Sequence, residues 1–135
     1  MDIRIHHAAL SVPDLEASIR WYGEVFGFEL EHRGFLPPVP ADVAFLRRGS
    51  LRLELFQPRD GKALPADRRI PDEDLKTHGH KHVCFAVRSV EQAAAELRER
   101  SADIVFMKKM PEATILFLRD NAGNLIELFE APELF

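Results

Sequence analysis

Apolar positions along the chain follow two periods. Leu15, Ile19, Tyr22 and Phe26 recur at helical spacing, and Gly27 stands where a left-handed residue would end that helix, so a helix is expected over 15–26. Ser89-Val-Glu-Gln92 has the pattern of a capping box and opens a second helix that should run to Arg100. Strand-like apolar segments cover 3–12 and 81–88, each leading into one of these helices. Three more follow the first helix at 28–35, 43–46 and 51–57, and three follow the second at 103–107, 113–118 and 124–130. The pattern is βαβββ twice, an α+β chain. Residues 58–80 join the halves, a long connection of the kind that is usually functional or mobile.

The halves also resemble one another residue by residue. His7-Ala-Ala-Leu-Ser-Val-Pro-Asp-Leu-Glu lies over His82-Val-Cys-Phe-Ala-Val-Arg-Ser-Val-Glu. Phe45-Leu-Arg-Arg-Gly-Ser-Leu-Arg-Leu-Glu-Leu-Phe lies over Phe117-Leu-Arg-Asp-Asn-Ala-Gly-Asn-Leu-Ile-Glu-Leu-Phe, with one extra residue in the second turn. His82 follows His7 by 75 positions and Glu127 follows Glu54 by 73, so one module of about 1–57 reappears at about 81–135. The whole chain reads as a single domain built of two repeats.

Strand alternation sorts the side chains by face. His7, Ala9 and Ser11 share one face, and Ala8, Leu10 and Val12 the other. His82, Cys84 and Ala86 oppose Val83, Phe85 and Val87 in the same way. Glu54 shares its face with Arg52 and Phe56, and Glu127 with Leu125 and Phe129. A carboxylate set between Leu53 and Leu55, or between Ile126 and Leu128, is costly if buried alone and is normally paired or bound to a cation. If the modules pair by a pseudo-twofold axis into a cupped mixed sheet, His7, Glu54, His82 and Glu127 converge. Nitrogen and oxygen donors without thiolate suit Zn, Ni, Co, Mn or Fe(II). His6, by alternation, should point to the opposite face. Phe56, Phe129, Cys84 and His80 are the candidate substrate-contacting residues.

Composition narrows the setting. The 135 residues are 46% hydrophobic and 30% charged, with net charge −4, and no Lys/Arg cluster is dense enough for a nucleic-acid face, Lys108-Lys109 being only a pair, so no nucleic-acid partner is expected. The longest apolar run, at 83–87, is far short of a membrane span, and the start of the chain has no apolar signal core. Cys84 is the single cysteine, so no internal disulfide forms and a cytoplasmic location is expected. The connection at 58–80 holds five basic and five acidic residues, a balance that selects no ligand class.

The sequence resembles the vicinal oxygen chelate superfamily, the glyoxalase and bleomycin-resistance group. The carriers are Ile5-His-His-Ala-Ala-Leu-Ser-Val-Pro-Asp-Leu-Glu-Ala-Ser-Ile-Arg-Trp-Tyr, Val25-Phe-Gly-Phe, His82-Val-Cys-Phe-Ala-Val and Asp120-Asn-Ala-Gly-Asn-Leu-Ile-Glu-Leu. The resemblance implies one divalent metal held by His7, Glu54, His82 and Glu127, a set similar to that of glyoxalase I and of methylmalonyl-CoA epimerase, the latter typically with Gln at the Glu54 position. The family's common Asp-Pro-Asp-Gly turn is Asp-Asn-Ala-Gly here, and no glutathione-binding pattern is present.

The expected activity is that of a lyase or isomerase. Two neighbouring oxygens of a small substrate chelate the metal, Glu54 or Glu127 takes the adjacent proton, and the enolate is stabilised. The alternatives are an Fe(II) dioxygenase-like enzyme using His7, His82 and Glu127, in which Glu54 would occupy a position needed by substrate or oxygen, and a bleomycin-resistance-type binding protein. Modules of this family often pair across a twofold axis, so a homodimer is expected.

Overall fold

A computed structural model describes residues 1–135. The chain divides into two compact units, Met1–Ala63 and Leu64–Phe135. In the first, β1 (Ala8–Ser11) leads to α1 (Leu15–Phe26), then β2 (Glu29–Leu36), β3 (Ala41–Arg48) and β4 (Leu51–Pro58). In the second, a 3-10 turn at Ala66–Arg69 and the short α2 (Pro71–Asp74) precede β5 (Val83–Val87) and α3 (Val90–Glu99). β6 (Asp103–Lys109), β7 (Thr114–Arg119) and β8 (Leu125–Glu130) complete it. Each unit is one four-stranded mixed sheet with a helix, ordered β1-β4-β3-β2 and β5-β8-β7-β6, so the α+β reading with two βαβββ modules holds. No helix is long and apolar enough to cross a membrane.

Local chemistry repeats between the units. The Asp14 side chain accepts from the Ala17 backbone N–H and caps α1, while Gly27, at φ 68°, closes it in the left-handed conformation. The Ser89 hydroxyl caps α3 by accepting from the Gln92 N–H. The first N–H of each helix is tied to the last strand of its own sheet: Leu15 donates to Gln57 Oε1 at 2.7 Å and Val90 to Glu130 Oε2 at 2.9 Å. Beneath each helix lies the core, with Tyr22, Leu46, Leu53 and Leu55 buried in the first unit and Val90, Leu116, Leu118, Ile126 and Leu128 in the second.

Two edge strands are shorter than the apolar pattern suggests. β1 runs parallel to β4 with Ala8 opposite Leu53. Carried backwards, that register exhausts β4 at Leu51, and residues 3–5 would face the Gly49-Ser50 turn, which offers no ladder. Ile3 and Ile5 are accordingly exposed. β5 meets a similar limit: Val83 pairs with Ile126, one residue inside β8, and from Lys81 backwards the register passes the start of that strand. The connection expected over 58–80 carries two short helical segments, and from Leu64 onward it belongs to the second unit.

Candidate functional site

Each sheet presents one face to its helix and one away from it, and the outward face of each carries the same row of side chains. In the first unit the ladder runs Ala9, Glu54, Phe45, His32 across β1, β4, β3 and β2. In the second it runs Cys84, Glu127, Phe117, Phe106 across β5, β8, β7 and β6. Both β2 and β6 carry a register shift one residue before this row, between Leu30 and His32 and between Ile104 and Phe106. The extra residue turns His32 and Phe106 onto the outward face.

His7 and His82 stand one residue ahead of β1 and β5. His7 Nε2 lies 3.0 Å from Glu54 Oε2, and His82 Nε2 lies 3.0 Å from Glu127 Oε2. The two carboxylate side chains are only 17% and 15% exposed, so each depends on this partner. An aromatic ring backs each imidazole edge-on: Phe45 at 5.3 Å from His7 and Phe117 at 4.9 Å from His82, between ring centroids. His32 stacks on Phe45 at 4.6 Å, and Phe106 lies 5.2 Å from Phe117. The structure thus pairs His7 with Glu54 and His82 with Glu127. Within neither unit do three or more His, Cys, Asp or Glu side chains form a metal-holding group.

The chemistry of the donors fits a divalent cation. Two ligand atoms bound to one ion at about 2.1 Å stand about 3.0 Å apart when the bonds meet at right angles, and about 3.4 Å apart at the tetrahedral angle. The imidazole nitrogen and carboxylate oxygen of each pair already stand at the first of these spacings. The Cys84 thiol beside Glu127 is held in its protonated form in the metal-free protein. Burial pushes its thiol up to about 12, and the neighbouring Glu127 carboxylate adds to this through charge and a hydrogen bond. Cys84 retains exposed area as a residue, so this burial is partial.

The remaining expected contacts are placed as follows. Phe56 and Phe129 lie one step further along the outward faces of β4 and β8, and Phe129 is exposed. His80 lies in the exposed approach to β5, where its carbonyl accepts from an Arg68 guanidinium nitrogen at 2.9 Å. His6 departs from its expected side. Its Nδ1 sits 2.8 Å from His7 Nδ1, and its ring faces Phe45 at 6.5 Å between centroids. Alternation does not govern a residue outside the ladder, so His6 folds over beside His7. Arg52, on the outward face with Glu54, holds Glu31 through two nitrogens, its Nε at 2.9 Å from Oε2. That hydrogen bonding keeps the Glu31 carboxyl below its usual range.

Sequence reasoning did not single out Phe45, Phe117, His32 or Phe106. A signal for the first pair was present, since Phe45-Leu-Arg and Phe117-Leu-Arg open the matched segments. His32 and Phe106 carried none, because the shift that turns them outward is a property of pairing.

Comparison with known proteins gives the family and the fold. The family profile described as Glyoxalase/Bleomycin resistance protein/Dioxygenase superfamily matches residues 4–128. The mitochondrial methylmalonyl-CoA epimerase of Bos taurus is 31% identical over 135 residues, covering 95% of this chain and 74% of its own. The ethylmalonyl-CoA/methylmalonyl-CoA epimerase of Cereibacter sphaeroides is 28% identical over 131 residues, covering 93% and 96%. Among solved structures, a glyoxalase family protein from Enterococcus faecalis superposes with a TM-score of 0.78 at 26% identity, covering 94% of this chain and 97% of that one.

Proposed function

The chain belongs to the glyoxalase/bleomycin resistance protein/dioxygenase superfamily, and from that premise we propose that it is a divalent-metal-dependent isomerase that epimerises a carbon next to the thioester carbonyl of an acyl-CoA. The observation that carries this reading is the duplicated pair, His7–Glu54 and His82–Glu127, each at 3.0 Å and each at the same step of its ladder. The epimerase relatives supply the substrate class, a substituted malonyl-CoA.

Inverting a carbon centre requires a base that removes the proton from one side and an acid that returns one to the other. Two equivalent carboxylates would meet that requirement: Glu54 or Glu127, released from the cation when substrate binds, would accept the proton, and the other, also released and in its protonated form, would return one to the same carbon. The count of protons on the substrate is unchanged, and the two carboxyls exchange protons with water before the next turnover. His7, Glu54, His82 and Glu127 would hold the cation, which when bound supplies Lewis-acid stabilisation of negative charge on the substrate oxygens. In the cation-free form His7 and His82 hold the two carboxylates through Nε2 at 3.0 Å, and Phe45 and Phe117 back the imidazoles edge-on. Phe56, Phe129, Cys84 and His80 would contact the substrate. We also propose a cytoplasmic homodimer with no nucleic-acid or membrane partner.

The test uses protein purified without a metal-affinity tag. Elemental analysis should find a divalent metal bound. Methylmalonyl-CoA incubated with the enzyme in D₂O should gain deuterium at its C2 carbon faster than the uncatalysed exchange, and chelation should abolish the acceleration. Absence of both metal and exchange would overturn the proposal. Oxygen consumption without exchange would assign the chain to the dioxygenase branch instead.

A further inference from the structure

His82 does not lie in the ladder that it serves. Pairing of β5 with β8 begins at Val83, so the direction of the His82 side chain depends on what holds the residues before it. Three charged side chains meet there. Asp74, the last residue of α2, is a carboxylate only 2% exposed. Its partners are Arg68 and Lys81. The Arg68 Nε is fully buried and meets Asp74 Oδ1 as an ion pair rather than as an aligned hydrogen bond, while the second arm of the guanidinium donates to the His80 carbonyl at 2.9 Å. The Lys81 ammonium donates to the Asp74 carbonyl at 2.6 Å and to the Thr77 carbonyl, and lies 3.5 Å from Asp74 Oδ1.

The two residues just ahead of His82 are thus held at one cluster, residue 80 through its carbonyl on Arg68, the ion-pair partner of the Asp74 carboxylate, and residue 81 through an ammonium on the Asp74 and Thr77 carbonyls with the same carboxylate 3.5 Å away. A buried charge cannot release its partners without a large desolvation penalty, so the anchor is stiff. With the His80 carbonyl and the Lys81 side chain both held, little freedom is left to the backbone that leads into His82, whose ring meets Glu127 Oε2 at 3.0 Å. The first unit has no such anchor. Residues 1–6 are exposed, and the ring contacts of His7 ahead of β1 are with His6 alone.

We propose that Asp74, through Arg68 and Lys81, is a positioning residue that sets the orientation of His82 as a metal ligand, making the second His–Glu pair the stiffer half of the site. This inference rests on the reading of His82 as a ligand given above. It assigns a task to a charged cluster that takes no part in the reaction.

The test is a titration of the metal-free, full-length protein with Co²⁺, read from its visible d–d absorption, together with a thermal melt of the metal-free form. Asp74→Asn should weaken Co²⁺ binding about 10-fold or more and change the shape of the band, in the range found when groups that orient a ligand are removed. Lys81→Met leaves the Arg68–Asp74 ion pair in place and should weaken binding in the same direction, which keeps the test decisive if Asp74→Asn does not fold. Val90→Ala, in the core beneath α3, serves as a stability control. It should lower the melting temperature yet leave Co²⁺ affinity within about twofold, since the substitution trims only a side chain buried in the core beneath α3, keeps the backbone bond to Glu130, and leaves the outward row that carries the ligands intact. Parent-like affinity and spectrum in Lys81→Met and in folded Asp74→Asn would overturn the inference. So would an equal loss of affinity in Val90→Ala, which would show that stability alone moves the binding. A parent protein that binds no Co²⁺ would instead overturn the metal reading itself, and the inference with it.

Discussion

Replacing His6 and His7 one at a time separates a ligand from its neighbour. His7→Ala removes the nitrogen that stands 3.0 Å from Glu54 Oε2. His6→Ala leaves that nitrogen in place and removes only the 2.8 Å contact at the other ring nitrogen of His7. A group that orients a metal-bound imidazole in this way typically contributes about 10- to 100-fold in metal affinity. At a free metal concentration of about 100 times the parent dissociation constant, binding stabilises the fold by about 2.7 kcal/mol. A tenfold weaker site retains about 1.4 kcal/mol of this, and a site that no longer binds retains none. For 135 residues the unfolding entropy is about 0.28 kcal/mol per degree. The metal-dependent rise in Tm should therefore be about 10 °C for the parent, about 5 °C for His6→Ala and close to zero for His7→Ala. His82→Ala should match His7→Ala. Differential scanning fluorimetry with and without added Zn²⁺, referenced to each variant's own metal-free melt, measures all four. If His6→Ala abolishes the rise while His7→Ala keeps it, the assignment of the first ligand is wrong by one residue and the pairing with Glu54 falls with it.

Three further outcomes are expected. If Glu54 and Glu127 divide the roles of base and acid, Glu54→Gln and Glu127→Gln should each retain folding and part of the metal but lose deuterium exchange at the substrate carbon; an unchanged rate in either variant removes that residue from the proton transfer. Gly123 sits at φ 90° with a would-be Cβ 2.6 Å from Arg69 Nε, so Gly123→Ala should cost about 1–2 kcal/mol from the backbone, shift the Arg69 side chain, and lower Tm by about 4–7 °C on calorimetry. The Glu31 carboxyl, held below its usual range chiefly by its hydrogen bonds to Arg52, contributes stability that is present above the ordinary carboxylate pKa and is lost as the pH falls through the depressed folded value; Arg52→Ala should return Glu31 toward its ordinary value in an NMR titration and flatten that acid limb.

Much of the architecture was legible in the residues. The helix expected over 15–26 is found at those bounds, because its apolar spacing, the Asp14 cap and the left-handed Gly27 all act within a few residues of one another. The capping box at Ser89–Gln92 opens α3 for the same reason. The duplication was visible as two matched stretches, and it correctly placed Glu54 and Glu127 at equivalent steps of two sheets. The alternation of small and large side chains also put Ala9 and Cys84 on the faces turned away from the helices, and their exposure follows from that.

The sequence by itself thus determined the elements, their order, the repeat and the face on which each carboxylate sits, since each of these follows from local propensity and from the periods of burial. Only the tertiary structure decided where pairing stops and what surrounds the donors. Residues 3–5 have a strand pattern but no strand, because the parallel register carries them past the start of β4. His6 folds beside His7 because neither residue lies in a ladder. His32 and Phe106 join the outward rows only through register shifts in their strands. Arg68, Asp74 and Lys81 carry no local signal that would bring them together, and they meet around the buried Asp74 carboxylate only because α2 lies against the approach to β5. In each case the deciding quantity is a partner distant in sequence, and no local pattern encodes the identity of that partner.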